Sequence, residues 1–205
     1  MNNLRELALA LHQYHDTYGG LPPAALRGKD GRPLLSWRVL ILPFLEQGAL
    51  YQQFHLDEPW DSPHNKALLE KMPRQYDPVG LGDSTLRDST FYQVFIGKGT
   101  AFETDGLVMP KDFPDGTANT ILIIEAGEAV PWTKPAELLY QADRPMPDLG
   151  GLFKGPARFS NWNQVAGLHV AFADGSVWFL EKPVDENKLR AMITRNGGEP
   201  TVPED

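Results

Sequence analysis

Residues 3 to 18 set the strongest constraint on what this chain can fold into. Leu4, Leu7, Ala8, Leu11, Tyr14, His15 and Tyr18 recur at three- and four-residue spacing, while Arg5, Glu6, His12, Gln13, Asp16 and Thr17 fall opposite. That is the pattern of an amphipathic helix, and its apolar stripe has to be covered by something. Asn2 or Asn3 is placed to cap its start, and Gly19-Gly20 followed by Leu21-Pro22-Pro23 ends it. Glycine accepts the left-handed backbone past a helix end, and proline cannot continue the helix.

The cover has to come from the rest of the chain, whose pattern changes at Pro73. Before it, Ser36 caps a second helix through Trp37, Val39, Leu40 and Leu42, with Pro43 and Gly48 making it kinked or two-piece before Leu50 to Phe54. Ser62-Pro63 starts a short third helix reaching about Lys71. Beyond Pro73, helical periodicity gives way to glycines, prolines and short branched or aromatic runs. Residues 91–96 and 120–125 are strand candidates. Leu168 to Ala173, Asp174-Gly175 and Ser176 to Leu180 read as a hairpin with a two-residue loop, Phe172 opposite Val177 and Val170 opposite Phe179 on the core face. Asp185 caps a last helix with Leu189, Met192 and Ile193 inward. Residues 134–156 form a proline- and glycine-rich excursion between strands. The expected fold is α+β: a long N-terminal helix on an antiparallel sheet, with additional short helices. It forms one domain, helical over 1–72, β-rich over 73–198 with a C-terminal helix, and flexible over 199–205.

Composition removes several function classes. Nineteen Lys and Arg against 27 Asp and Glu leave a net charge of −8, which repels a phosphate backbone, so no nucleic-acid partner is expected. The absence of cysteine excludes disulfides, thiolate zinc sites, iron–sulfur clusters and cysteine nucleophiles. No run approaches the roughly 20 apolar residues of a membrane helix, and the first ten residues lack the pattern of a signal peptide.

The densest set of candidate metal ligands is His55, Asp57, Glu58, Asp61 and His64. Two imidazoles with a carboxylate suit zinc or iron, and hard oxygens suit calcium or magnesium, although the spacing fits no established motif. The alternative is a rigid corner, with Trp60 packed inside and acids near a helix N-terminus. The four Asp-Gly pairs, at Asp30, Asp105, Asp115 and Asp174, lack alternating acidic ligands and read as turns. There is no Gly-x-Ser-x-Gly elbow and no phosphate-loop or dinucleotide-binding glycine pattern. Among the five tryptophans, Trp37 and Trp60 read as core. Trp132, Trp162 and Trp178 lie in loop or strand positions where core packing competes with exposure of an indole to a sugar or a partner.

Several stretches together resemble one family. Asn2-Asn3-Leu4 through Gly19, Leu35-Ser36-Trp37-Arg38-Val39, His55 to Asn65, Val130 to Pro135, Asp115-Gly116-Thr117-Ala118-Asn119-Thr120, Phe172-Ala173-Asp174-Gly175-Ser176-Val177 and Leu189 to Gly198 are similar to a pilin-like family of unknown function abundant in planctomycetes (domain of unknown function 1559). The resemblance implies a fold related to type II secretion pseudopilins. It also implies a place outside the cytoplasmic membrane, periplasmic or at the cell surface, with tethering by an N-terminal apolar helix absent from this chain. That family has a histidine ten positions before the aspartate of the Asp-Gly turn, where this chain has Gln164, and often a cysteine near Tyr76-Asp77-Pro78, missing here. The expected function is non-enzymatic, without a cofactor: a structural or interaction module whose partners are other pilin-like subunits or a cell-surface protein. The alternatives are a carbohydrate- or solute-binding module using Trp132, Trp162 or Trp178, with a glycan as ligand, and a metal-dependent enzyme built on His55, Asp57, Asp61 and His64.

Overall fold

The computed structural model describes residues 2–77, 87–151 and 167–198. Helix α1 (Asn2–Tyr18) buries Leu4, Leu7, Ala8, Ala10 and Leu11. It ends where the Gly19 N–H donates to the His15 carbonyl at 2.7 Å with φ +80°, the left-handed cap that glycine tolerates without strain. The start differs from expectation. Both asparagines lie inside the helix, and the Asn3 side-chain amide donates to the carbonyls of Asp77 (2.8 Å) and Arg74 (3.3 Å), tying the first turn to a one-turn 3-10 helix, Arg74–Tyr76. The end of the stripe also differs. Tyr18 is 65% exposed, because the last turn of α1 runs beyond what covers it.

A two-stranded hairpin, β1 (Ala25–Arg27) and β2 (Pro33–Ser36), leads into α2 (Trp37–Leu40), a 3-10 turn (Leu42–Leu45) and α3 (Gly48–Tyr51). The second helix is thus broken where Pro43 and Gly48 interrupt it. The Ser36 hydroxyl accepts from the Arg38 N–H as its cap. Ser62 caps α4 (Pro63–Lys66) in the same way, through the Asn65 N–H at 3.1 Å. That helix stops at Lys66, and the expected continuation to Lys71 is a separate 3-10 turn, Leu69–Lys71.

The main sheet has four antiparallel strands in the order β3 (Ser89–Gln93), β5 (Ile121–Pro131), β7 (Gly167–Phe172), β8 (Val177–Glu181). A short parallel pair, β4 (Phe95–Ile96) and β6 (Leu138–Leu139), lies apart from it. One face of the sheet carries Leu122, Ile123 and Ala171 into the same core as Leu4, Leu7 and Leu11 of α1. The other carries Leu168, Val170 and Phe172 into a second core closed by Leu189, Met192 and Ile193 of α5 (Glu186–Ile193), whose start Asp185 caps through the Lys188 N–H.

The β7–β8 hairpin is one residue out of the expected register. Ala171 faces Val177, Val170 faces Trp178 and His169 faces Phe179. Gly175, at φ +85°, donates to the Phe172 carbonyl, and the Phe172 N–H donates to Ser176. The loop therefore has three residues, a turn followed by a left-handed glycine. Because side chains alternate along a strand, the shift moves Phe179 from the face of Val170 to the face of His169 and Ala171. The mobile tail expected over 199–205 lies outside the described residues.

Candidate functional site

The proposed metal ligands meet at a corner organised by a residue of another kind. Asn65 is fully buried. Its side-chain oxygen accepts from the His55 N–H at 3.0 Å, and its amide donates to the carbonyls of His55 (2.9 Å), Glu58 (3.2 Å) and Pro59 (3.2 Å). One side chain thus serves the His55 N–H and the Glu58 carbonyl, and adds a second donor to the His55 and Pro59 carbonyls, which also accept from the Glu58 and Ser62 N–H groups. Around it, the rings of His55 and His64 stack face to face, centroids 3.5 Å apart and planes 1° from parallel. The His55 Nδ1 lies 2.9 Å from a Glu58 oxygen, and the His64 Nε2 donates to the Gln53 carbonyl at 2.7 Å. The Ser62 hydroxyl first, then His55, hold the Glu58 carboxyl below its ordinary pKa.

This arrangement disfavours metal binding for a geometric reason. Imidazole lone pairs lie in the ring plane, and two parallel planes direct no two of them at a common point. Among the described residues, no group of three or more His, Asp or Glu side chains is placed to hold a metal ion; Asp57 and Asp61 stand exposed on the same corner. Trp60 packs partly buried against the first core, with the Lys134 ammonium 5.6 Å from its ring centroid. The rigid-corner reading describes the geometry. Asn65→Ala is expected to cost about 2 kcal/mol by leaving the His55 N–H and the Glu58 carbonyl without their partner. Urea unfolding of the two chains measures it.

The tryptophan candidates fare unequally. Trp132 is fully buried, so of its two readings core packing is the one seen, and it is not a ligand-facing indole. Strand β5 extends six residues past the expected end at Glu125, reaching Pro131. It carries Trp132 inward, where its Nε1 donates to the Leu69 carbonyl at 3.0 Å. The ring stacks on Tyr76 (5.6 Å, 19°) and meets Phe54 edge-on (5.7 Å, 86°). Trp178 is half-buried against the second core. Trp162 and Gln164 lie outside the described residues.

Two buried polar sites were invisible in the sequence. At the first, the Glu125 carboxylate accepts the His169 backbone N–H at 2.7 Å and lies 3.1 Å from the His169 Nδ1. It does so where β5 and β7 part: beyond Ile124 paired with Val170, the Ala126 backbone bridges to Leu149 instead. The carboxylate thus satisfies a ladder donor and fixes Nδ1 as the imidazole nitrogen that carries the proton. Tyr92, opposite Glu125 on β3, has its hydroxyl pKa pushed far up by burial first and the Glu125 charge second.

At the second, the Arg38 guanidinium, fully buried, lies 2.9 Å from the Glu137 carboxylate, itself 3% exposed. Arg38 Nε also donates to the Tyr92 carbonyl (2.9 Å), and Glu137 accepts from the Val94 N–H (3.1 Å) and the Ser36 hydroxyl (3.2 Å). The pair pins α2 to β3 and to the segment entering β6. Burial raises the Glu137 pKa, and the Arg38 charge offsets this only in part. Both partners sit inside ordinary helix and loop patterns, so nothing in their spacing announced them.

On the surface, the last turn of α1 gathers aromatic rings. Tyr14 and Tyr18 lie 4.5 Å apart between centroids, and Phe44 meets them at 5.9 and 6.2 Å, inclined 70° and 87°. Burial first, then Tyr18, Tyr51 and Asp105, keep the Tyr14 hydroxyl above its ordinary pKa; burial, then Tyr18, does the same for Tyr51. The helical spacing named Tyr14 and Tyr18 as part of the buried stripe, and only the fold placed Phe44 and Tyr51 beside them.

No curated protein and no solved structure matches the chain. Residues 1–98, which carry α1, the His55–His64 corner, Arg38 and strand β3, match the model of a family described as a protein of unknown function (DUF1559).

Proposed function

We propose that this chain is a pilin-like interaction module of the kind found in type II secretion pseudopilins, held outside the cytoplasmic membrane by an apolar segment upstream of α1, and that its work is assembly rather than catalysis. The observation that supports this most is the seam of α1. Leu4, Leu7 and Leu11 are fully buried in one core with Leu122, Ile123 and Ala171 of the antiparallel sheet. A helix bound to its own sheet in this way leaves its outer face, including Leu9 at 57% exposure, for a neighbouring subunit. The net charge of −8 favours a protein partner over a polyanion. Among the described residues no helix is long and apolar enough to cross a membrane.

The chain has no cysteine, so a Leu9→Cys variant reports neighbours without background. In the native cells, this reading expects the protein in the membrane fraction, open to protease added from outside the cytoplasmic membrane. It also expects disulfide-linked dimers through residue 9. Recovery in the cytoplasmic fraction without such dimers would overturn it.

A further inference from the structure

We infer that the aromatic cluster at the end of α1 is a platform for a neutral or cationic saccharide, with Tyr18 as the stacking ring. Tyr18 is one of three exposed large hydrophobic side chains among the described residues, the others being Leu9 and Leu139. Leu9 is nine positions away on the helix, about 180° round the axis at roughly 100° per residue, so it does not join the patch. What surrounds Tyr18 is other aromatic rings. Tyr14 and Phe44 hold it from two sides at 4.5 and 6.2 Å between centroids, the second contact nearly perpendicular at 87°. Edge-to-face contacts of this kind fix a ring that already has only two side-chain torsions, so little freedom is lost on binding.

The glycines that follow Tyr18 meet a second backbone segment. The Leu21 N–H donates to the Leu107 carbonyl at 2.9 Å and the Gly106 N–H to the Leu21 carbonyl at 3.2 Å, which brings residues 105–107 against the end of α1. Gly20 there approaches the Gly106 backbone so closely that a Cβ would collide with its carbonyl, whereas a Cβ on Gly19 or Gly106 would meet nothing within 4 Å. There is therefore open space beside Gly19 and Gly106, and none beside Gly20.

The chemistry of the cluster selects the ligand. A pyranose offers an apolar C–H face to a ring and a rim of hydroxyls to hydrogen-bonding groups. Tyrosine supplies both, as a ring with a hydroxyl that donates and accepts. The hydroxyls of Tyr14, Tyr18 and Tyr51 are near enough to influence one another electrostatically, and Asp105, exposed, adds a carboxylate on the same side. The carboxylate and the net charge of −8 select against acidic sugars. One exposed ring falls far short of the roughly 800 Å² per partner that a stable protein interface buries, but it matches one sugar ring. This site is independent of the pilin-like reading, and the two fail separately.

The test is amide NMR of the chain during titration with cellotetraose, chitotetraose and its deacetylated form, each to several millimolar. Saturable shifts are expected at Gly19, Gly20 and Gly106 with at least one of these sugars. Tyr18→Ala, a change at an exposed position, is expected to weaken binding about tenfold or more, while Trp178→Ala leaves it unchanged. The proposal is overturned if none of the three moves these glycines, if the shifts map to another surface, or if Tyr18→Ala binds as tightly as the parent chain.

Discussion

Replacing Glu137 with leucine is expected to cost about 3–5 kcal/mol of folding stability, because it leaves the Arg38 guanidinium buried without its counter-charge. Replacing both partners, as Arg38→Met with Glu137→Leu, is expected to restore most of that loss or exceed the parent chain. The pKa of Glu137 is raised because burial disfavours the charged carboxylate by more than Arg38 and the hydrogen bonds favour it. A well-packed apolar pair of similar volume avoids that desolvation cost.

The same inequality sets a pH dependence. A carboxyl whose native pKa lies above its unfolded value, near 4.3 for glutamate, binds more protons folded than unfolded between the two values. Its contribution is therefore fully present below the unfolded pKa and is lost as pH rises through the native one. Urea unfolding of the parent chain from pH 4 upward is expected to show this decline superimposed on the other carboxylates, and the difference from the double variant isolates it. A Glu137→Leu chain as stable as the parent would show that Arg38 finds water or another partner.

Trp132→Ala is expected to cost about 3–5 kcal/mol, the range for deleting a large aromatic side chain from a packed core. Its ring fills the space between Tyr76 and Phe54, and its indole N–H satisfies the Leu69 carbonyl. Trp132→Phe keeps most of the volume and should lose only about 1–2 kcal/mol, mainly through the orphaned carbonyl. Midpoints of chemical unfolding for the three chains give the comparison. Equal losses for alanine and phenylalanine would mean that the hydrogen bond, not the packing, matters at this position. Either way the residue belongs to the structure of the junction between the helical part and β5, which removes it from the surface available to a ligand.

The elements read correctly in advance were those governed by local chemistry. The α1 stripe as far as Leu11, the glycine end at Gly19, the serine caps at Ser36 and Ser62 and the aspartate cap at Asp185 each depend on nearby residues, and each stands where expected. The break at Pro43 and Gly48 belongs to the same class. The hairpin was located but misregistered, since Asp-Gly fits a two-residue loop as well as the turn of a three-residue one. Strand β5 was cut short at Glu125 because its second half pairs with distant residues around Leu149 and with β3, and a lone strand carries no record of its partners.

The candidate site divides along the same line. His55, Asp57, Asp61 and His64 are close in sequence and share one corner, yet whether their lone pairs converge depends on ring orientations set by Glu58 for His55 and by the Gln53 carbonyl for His64. Arg38 with Glu137, and Glu125 with His169, are separated by 99 and 44 positions, so no local pattern joins them.

Sequence alone determined the glycine end of the first helix, the caps at Ser36, Ser62 and Asp185, and that the apolar stripe of the first helix needs a cover; these follow from backbone propensities and side-chain periodicity acting over a few residues. Tertiary structure alone decided which charges are paired inside, which tryptophan is hidden and which tyrosine is left bare, because burial and pairing are properties of segments far apart in the chain that meet only when it folds.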